Sequence, residues 1–477
     1  MSRLPGPRSP VAQARWARAL SRDLYGGVLD LFGRYGPVVE FGVGPVRYVY
    51  LFGREANEHI LATDPDGFLW RDGFRVLVPV VGDTALVVTD GDEHARRRRL
   101  VQPAFGRRHI EGHVALMQHE IDRIIDGWTA GTLVDAYADL RLAVRRMVIL
   151  ALFGEHLRAR ADELGELLQG ALDFVNLPVH HQLVHIDRPF TRYGRAMRAR
   201  RRADEIVYAE IARRRVAHAL AGSAREGVDV LDLLLDAGVP ARTAAVDSGC
   251  PAQQDQLRDT ESTGRDGELS DTELRDQVVS LVAAGYDTTS AAVGWAVHEL
   301  VTRPDVARRV ATEVAEAVGD DPITPEVLPR LAYLDRVVRE VLRLHAAAVV
   351  ARRSLRDFEI GGHKIPAGRM VLYSPYVTHR LPELWPEPSA FRPERWLPDA
   401  PGYVEPPPFA SVPFGGGYRR CIGFGLAKFE IKIAVVRLVQ RTALEPLTRH
   451  IAATGVAANT PAGGVPVRVT EVRSRSA

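Results

Sequence analysis

The sequence predicts a mainly α-helical fold carrying a small β region. Apolar residues recur at three- and four-residue spacing through ten segments, as amphipathic or buried helices require. Strand-like stretches are few and short. The β–α–β–α succession of a doubly wound sheet is missing, and no internal repeat points to a solenoid.

In chain order, helices are expected near 11–34, 92–104, 112–127, 141–153, 160–174, 195–220, 271–302, 304–318, 325–345 and 422–441. Strands are expected at Val46–Phe52, Phe358–Ile360, Met370–Tyr373 and Val465–Val472. Gly238 to Glu268 is polar and nearly free of large apolar side chains, so it is expected to be a mobile surface loop. Apart from that loop, residues 1–477 read as one domain.

The hydrophobic content of 46% suits a globular protein with a sizeable core. A net charge of only +2 gives no reason to expect a nucleic-acid partner. The two cysteines, Cys250 and Cys421, sit in unlike contexts, which argues against a disulfide and for a reducing, cytoplasmic setting. Cys250, in the polar loop, reads as an exposed thiol without function. Met1 to Ala19 has no continuous apolar segment, so neither signal peptide nor membrane anchor is expected. The longest apolar run, Met147 to Phe153, falls far short of the roughly 20 residues of a spanning helix.

The strongest chemical signal is Phe414-Gly-Gly-Gly-Tyr-Arg-Arg-Cys421-Ile-Gly423, which runs directly into a helical segment. Its glycines permit positive φ and close backbone approach to something flat. A cysteine just before a helix has amides and a positive helix end near its sulfur, which favours the thiolate. Taken alone, it is as readily a structural cysteine in a tight turn. The pattern Phe414, Gly417, Arg419, Cys421, Gly423 at fixed spacing is more specific. It resembles the haem-binding signature of the cytochrome P-450 family, and the resemblance spans roughly Gly36 to the carboxyl terminus.

The resemblance implies that fold, with haem b (iron protoporphyrin IX) buried between a long distal helix and the proximal Cys421 loop and helix. Cys421 would be the iron ligand. Ala284-Gly285-Tyr286-Asp287-Thr288-Thr289 interrupts an apolar helical run and resembles the family's acid–alcohol motif. The Thr288 hydroxyl is spaced to bond the carbonyl of Ala284, and Ala284 and Gly285 leave room for a diatomic ligand. Thr288 would hydrogen-bond bound dioxygen, and Asp287 would relay protons through water. Glu340 and Arg343 share a helix face. With Arg395 of the Phe391-Arg-Pro-Glu-Arg395-Trp396 segment, they resemble the family's buried network beneath the cysteine loop. His94, Arg98, Arg352 and Arg419 are the expected cationic partners of the haem propionates, with Arg353 a competitor for the role of Arg352. Arg96, Arg97 and Arg99 read as a solvated basic face.

The implied activity is insertion of one atom of dioxygen into an apolar substrate, such as a steroid, terpenoid, fatty acid or polyketide. Leu77, Val78, Val80, Val81, Leu281, Val282, Ala346–Val350 and Val456 are candidate pocket positions. Nothing resembles a flavin, nicotinamide or iron–sulfur module, so ferredoxin and ferredoxin reductase are the expected electron donors. Lys428 and Lys432, four apart, would offer part of a basic dock for an acidic ferredoxin. Ala346-Ala347 stands where the family commonly has prolines, which predicts a more flexible pocket wall. Peroxide-driven or isomerising chemistry on the same fold, and a non-catalytic haem sensor or carrier, are the alternatives.

Overall fold

A computed structural model describes residues 3–43, 46–175, 185–221, 229–236, 269–400 and 403–474. The expected loop at 238–268 and Cys250 lie outside the described residues. Eleven longer helices are α1 Pro10–Arg22, α2 Leu24–Tyr35, α3 Gly91–Val101, α4 Val114–Asp126, α5 Ala136–Phe153, α6 Ala161–Leu172, α7 Arg192–Ala221, α8 Asp271–Thr302, α9 Pro304–Ala317, α10 Ala332–Leu344 and α11 Phe424–Arg441.

Helix α8 forms the spine. Ser270 accepts from the Glu273 amide while the Glu273 carboxylate accepts from the Ser270 amide, a reciprocal cap that sets its start. Its apolar residues surround the axis rather than forming one stripe, so it must be enclosed. It packs against α5, α11, α7 and α10. Leu274, Val278, Val282, Val293 and Val297 join Ala143, Met147, Ile433 and Val436 in the main core.

The expected 11–34 helix is two helices. Asp23 leaves helical geometry, its carboxylate accepts from the Gly26 amide at 2.8 Å, and it caps α2. The expected 325–345 helix begins only at Ala332, because Glu313 of α9 caps it by accepting from the Tyr333 and Leu334 amides at 2.6 and 2.8 Å. That cap is tertiary, so no local pattern announces it.

The sheets are small. Strands 38–43, 46–51, 370–373, 350–354 and 68–69 form a five-stranded sheet in that order, with 46–51 and 370–373 parallel and the other pairs antiparallel. A three-stranded sheet orders 133–135, 466–472 and 442–446. Strand 350–354, Val-Ala-Arg-Arg-Ser, escaped the pattern search because its arginines break the apolar alternation.

Candidate active site

The loop before α11 turns because its glycines permit it. Gly415 and Gly417 have φ of 69° and 60°, and a Cβ on Gly417 would lie 2.1 Å from the Leu61 carbonyl oxygen. The Cys421 amide donates to the Phe414 carbonyl at 2.9 Å, closing the loop under the sulfur. Phe414 and Phe424 bracket it, ring centroids 6.3 Å apart. Gly423 is the N-cap of α11, and its backbone hydrogen-bonds to Cys421.

Cys421 is reachable from one side and surrounded by protein on the others, as a residue lining an interior cleft must be. Burial pushes its thiol up, outweighing the lowering influence of the Gly423 backbone, Arg98 and Arg420. The expectation that loop and helix alone favour a thiolate is thereby corrected. Desolvation wins, and deprotonation falls to a bound cation, which can remove a coordinating thiol's proton outright.

On α8, Tyr286, Thr289 and Ser290 are buried, whereas Ala284 and Thr288, one turn apart, are exposed on one face at mid-helix. The Thr288 hydroxyl donates to the Ala284 carbonyl at 2.7 Å, as its spacing requires. Asp287 is partnered by a residue sequence reasoning missed. Arg141 of α5 donates Nη2 to its carboxylate at 2.6 Å, while the Arg141 guanidinium lies 4.8 Å from the centre of the Tyr286 ring. An arginine 146 positions away on a separate helix offers no sequence signal.

His94, Arg98, Arg352 and Arg419 gather around the cysteine loop and differ from one another. His94 is 3% exposed, and its Nδ1 is buried without a partner. Burial, then the charges of Arg419 and Arg98, hold its imidazole down at about 3. Arg98 donates to the Arg420 carbonyl at 2.8 Å. Arg419 donates to the Thr89 carbonyl and to Asp90 Oδ1, each at 2.8 Å, while its Nε stays buried and unmatched.

Arg352 is fully buried, with Nε and Nη2 lacking partners, and burial brings it down to about 10. Arg353 turns away to pair with Asp72, which removes the competition between the two arginines. A buried guanidinium with orphaned donors is expensive unless an anion meets it. These groups, beside a metal-binding sulfur and an open helix face, fit a flat, dianionic, metal-centred cofactor such as haem.

Glu340, Arg343 and Arg395 form one buried hydrogen-bonded group. Arg343 donates to both Glu340 oxygens at 3.0 and 2.8 Å, and Arg395 Nε donates to Glu340 Oε1 at 2.9 Å. Trp396 Nε1 and the Arg392 amide, both unforeseen, also donate to Glu340 at 3.0 Å.

Two expectations fail. Arg97 is buried and pairs with Glu93 and Glu273, and Arg96 pairs with Glu273 at 3.0 Å, so of that supposed solvated face only Arg99 is exposed. Lys432 is buried, paired with Asp335 at 3.0 Å and donating to the Leu328 carbonyl at 3.4 Å, so it cannot present a dock with Lys428. Both carbonyls of the Ala346-Ala347 segment have partners. Ala346 O accepts from Asn459 Nδ2 at 3.2 Å, Ala347 O from the Tyr376 amide at 3.2 Å, and His345 stacks on Trp295 at 3.9 Å. Of the candidate pocket positions, Val80, Val81, Val282 and Ala348 are buried, whereas Leu77, Val78, Val349 and Val350 are half-buried and Val456 is exposed.

No described helix is long and apolar enough to cross a membrane. The cytochrome P-450 family model matches residues 7–451. Cytochrome P-450 139 of Mycobacterium tuberculosis, a name that states no reaction, is 41% identical over 451 residues, covering 93% of this chain and 96% of that one. Cyclooctat-9-en-7-ol 5-monooxygenase of Streptomyces melanosporofaciens is 31% identical, covering 87% of this chain and 83% of the relative. Pentalenene oxygenase of Streptomyces avermitilis is 27% identical, covering 92% and 90%. Retinoic acid bound cyanobacterial CYP120A1 superimposes with a TM-score of 0.77 at 25% identity, covering 92% of this chain and 93% of that one.

Proposed function

The chain belongs to the cytochrome P-450 family, and from that premise we propose that it is a haem-thiolate monooxygenase acting on an apolar, terpenoid-like substrate. Cys421 would be the iron ligand of haem b, with Arg98, Arg352, Arg419 and His94 receiving its carboxylates. When bound, the haem supplies dioxygen activation and oxygen transfer to a carbon centre. Terpenoid chemistry is favoured by the relatives named for cyclooctat-9-en-7-ol and pentalenene. Electrons would arrive from a ferredoxin and its reductase.

The chain's own residues then have definable tasks. Ala284 keeps the distal face low. Thr288, its hydroxyl donating to the Ala284 carbonyl, would turn that donor toward dioxygen. Asp287 is paired with Arg141 at 2.6 Å, so proton delivery through it would require that pair to loosen. Glu340, Arg343 and Arg395 brace the segment beneath the loop and touch no reacting atom.

The observation that carries the reading is the set of buried, unmatched nitrogens on His94, Arg352 and Arg419 beside Cys421. The test is the carbon monoxide difference spectrum of the reduced protein, whose strongly red-shifted band reports thiolate ligation. Wild type should show it and Cys421→Ala should not. An identical band in the variant would sink the assignment. Product formed from an apolar terpenoid with ferredoxin, reductase and dioxygen, but not with hydrogen peroxide alone, separates a monooxygenase from the peroxide-driven alternative.

A further inference from the structure

Arg352 poses a physical problem. Its guanidinium is fully buried, yet among the described residues it forms no ion pair, and its one hydrogen bond goes to the carbonyl of adjacent Ala351 at 2.6 Å. What it has instead is a π face, with its guanidinium carbon 3.2 Å from the centre of the Trp70 ring. The same ring lies 5.0 Å from the guanidinium of Arg419. Trp70 is itself pinned. Its amide donates to Asp90 Oδ1 at 2.9 Å, the oxygen that also accepts from Arg419, and its ring stacks on Phe74 with centroids 5.8 Å apart.

A carboxylate beside Arg352 would neutralise it, occupy its donors and repel an incoming anion. An aromatic face attracts the cation while leaving its charge and its in-plane donors free. We infer that Trp70 is the positioning residue that holds Arg352 ready for a carboxylate of the cofactor, acting as a counter-surface that does not compete with it, while neighbouring Arg419 is held by Asp90. The inference rests on the haem reading above and adds a residue no motif in the sequence marks. Trp70 acts through Arg352 and touches no reacting atom.

The test uses the full-length protein loaded with haem. Trp70→Leu removes the π face and Trp70→Phe keeps a smaller one. Haem transfer to excess apomyoglobin should be about tenfold faster in Trp70→Leu, the equivalent of about 1.4 kcal/mol, and intermediate in Trp70→Phe. Loading the same proteins with haem dimethyl ester, which has no carboxylates, should abolish the differences. Midpoint potentials of wild type and variants should likewise diverge with haem and converge with the ester.

Rates in Trp70→Phe equal to wild type, or an acceleration as large with the ester as with haem, would overturn the inference. Should Trp70→Leu not fold, Trp70→Phe with both cofactors decides alone. Failure of the underlying reading looks different, because wild type itself would then lack the red-shifted carbon monoxide band.

Discussion

Glu430 permits a prediction whose size follows from its surroundings. It lies on α11, 2% exposed, hydrogen-bonded to the Thr289 side chain of α8, and burial lifts its carboxyl from 4.5 to about 8. An acid whose folded value exceeds its unfolded one keeps a proton that the unfolded chain releases. Its contribution is therefore complete below about pH 4.5, declines as pH rises, and levels off above about 8. The decline is about 1.4 kcal/mol per pH unit, or about 4 kcal/mol between pH 5 and 8. Glutamine keeps the shape and the hydrogen-bonding capacity but has nothing to ionise. Comparing guanidinium unfolding of wild type and Glu430→Gln at pH 5, 6, 7 and 8 isolates the group, since every other titration cancels. The variant should gain on wild type with each step, most steeply below pH 8. Parallel curves would mean that Glu430 is ionised in the native state and that the burial argument is wrong.

The buried Glu340–Arg343–Arg395 group should be costly to break. Glu340→Gln leaves Arg343 and Arg395 sharing no carboxylate, at about 3–5 kcal/mol, read from denaturant midpoints. Lys432→Glu should act on folding instead of docking: a lower melting temperature, with the ferredoxin reduction rate of the folded fraction unchanged. A slowed partner reaction in fully folded protein would restore the docking role. Thr288→Ala should keep oxygen consumption while diverting electrons, so that hydrogen peroxide per product rises at least about tenfold. Unchanged coupling would remove Thr288 from oxygen handling.

Local rules reach a definite depth in this chain. The fixed spacing Phe414-Gly417-Arg419-Cys421-Gly423, the Thr288 hydroxyl four residues after Ala284, and the Glu340–Arg343 pair are all short-range. Backbone geometry turns such spacing directly into shared faces and closed loops, so composition and order alone determined the helical class, the spine α8 and the cysteine loop. Everything that depends on long-range approach was decided by the packed chain. Arg141 meets Asp287, Glu313 caps α10, Trp70 lies under Arg352, and Asp335 draws Lys432 inward. Charged residues read as solvated when only their neighbours along the chain are known. Whether Arg97 or Lys432 faces water or a buried carboxylate depends on which distant helix lies against it, because desolvation and pairing energies exist only once those surfaces meet.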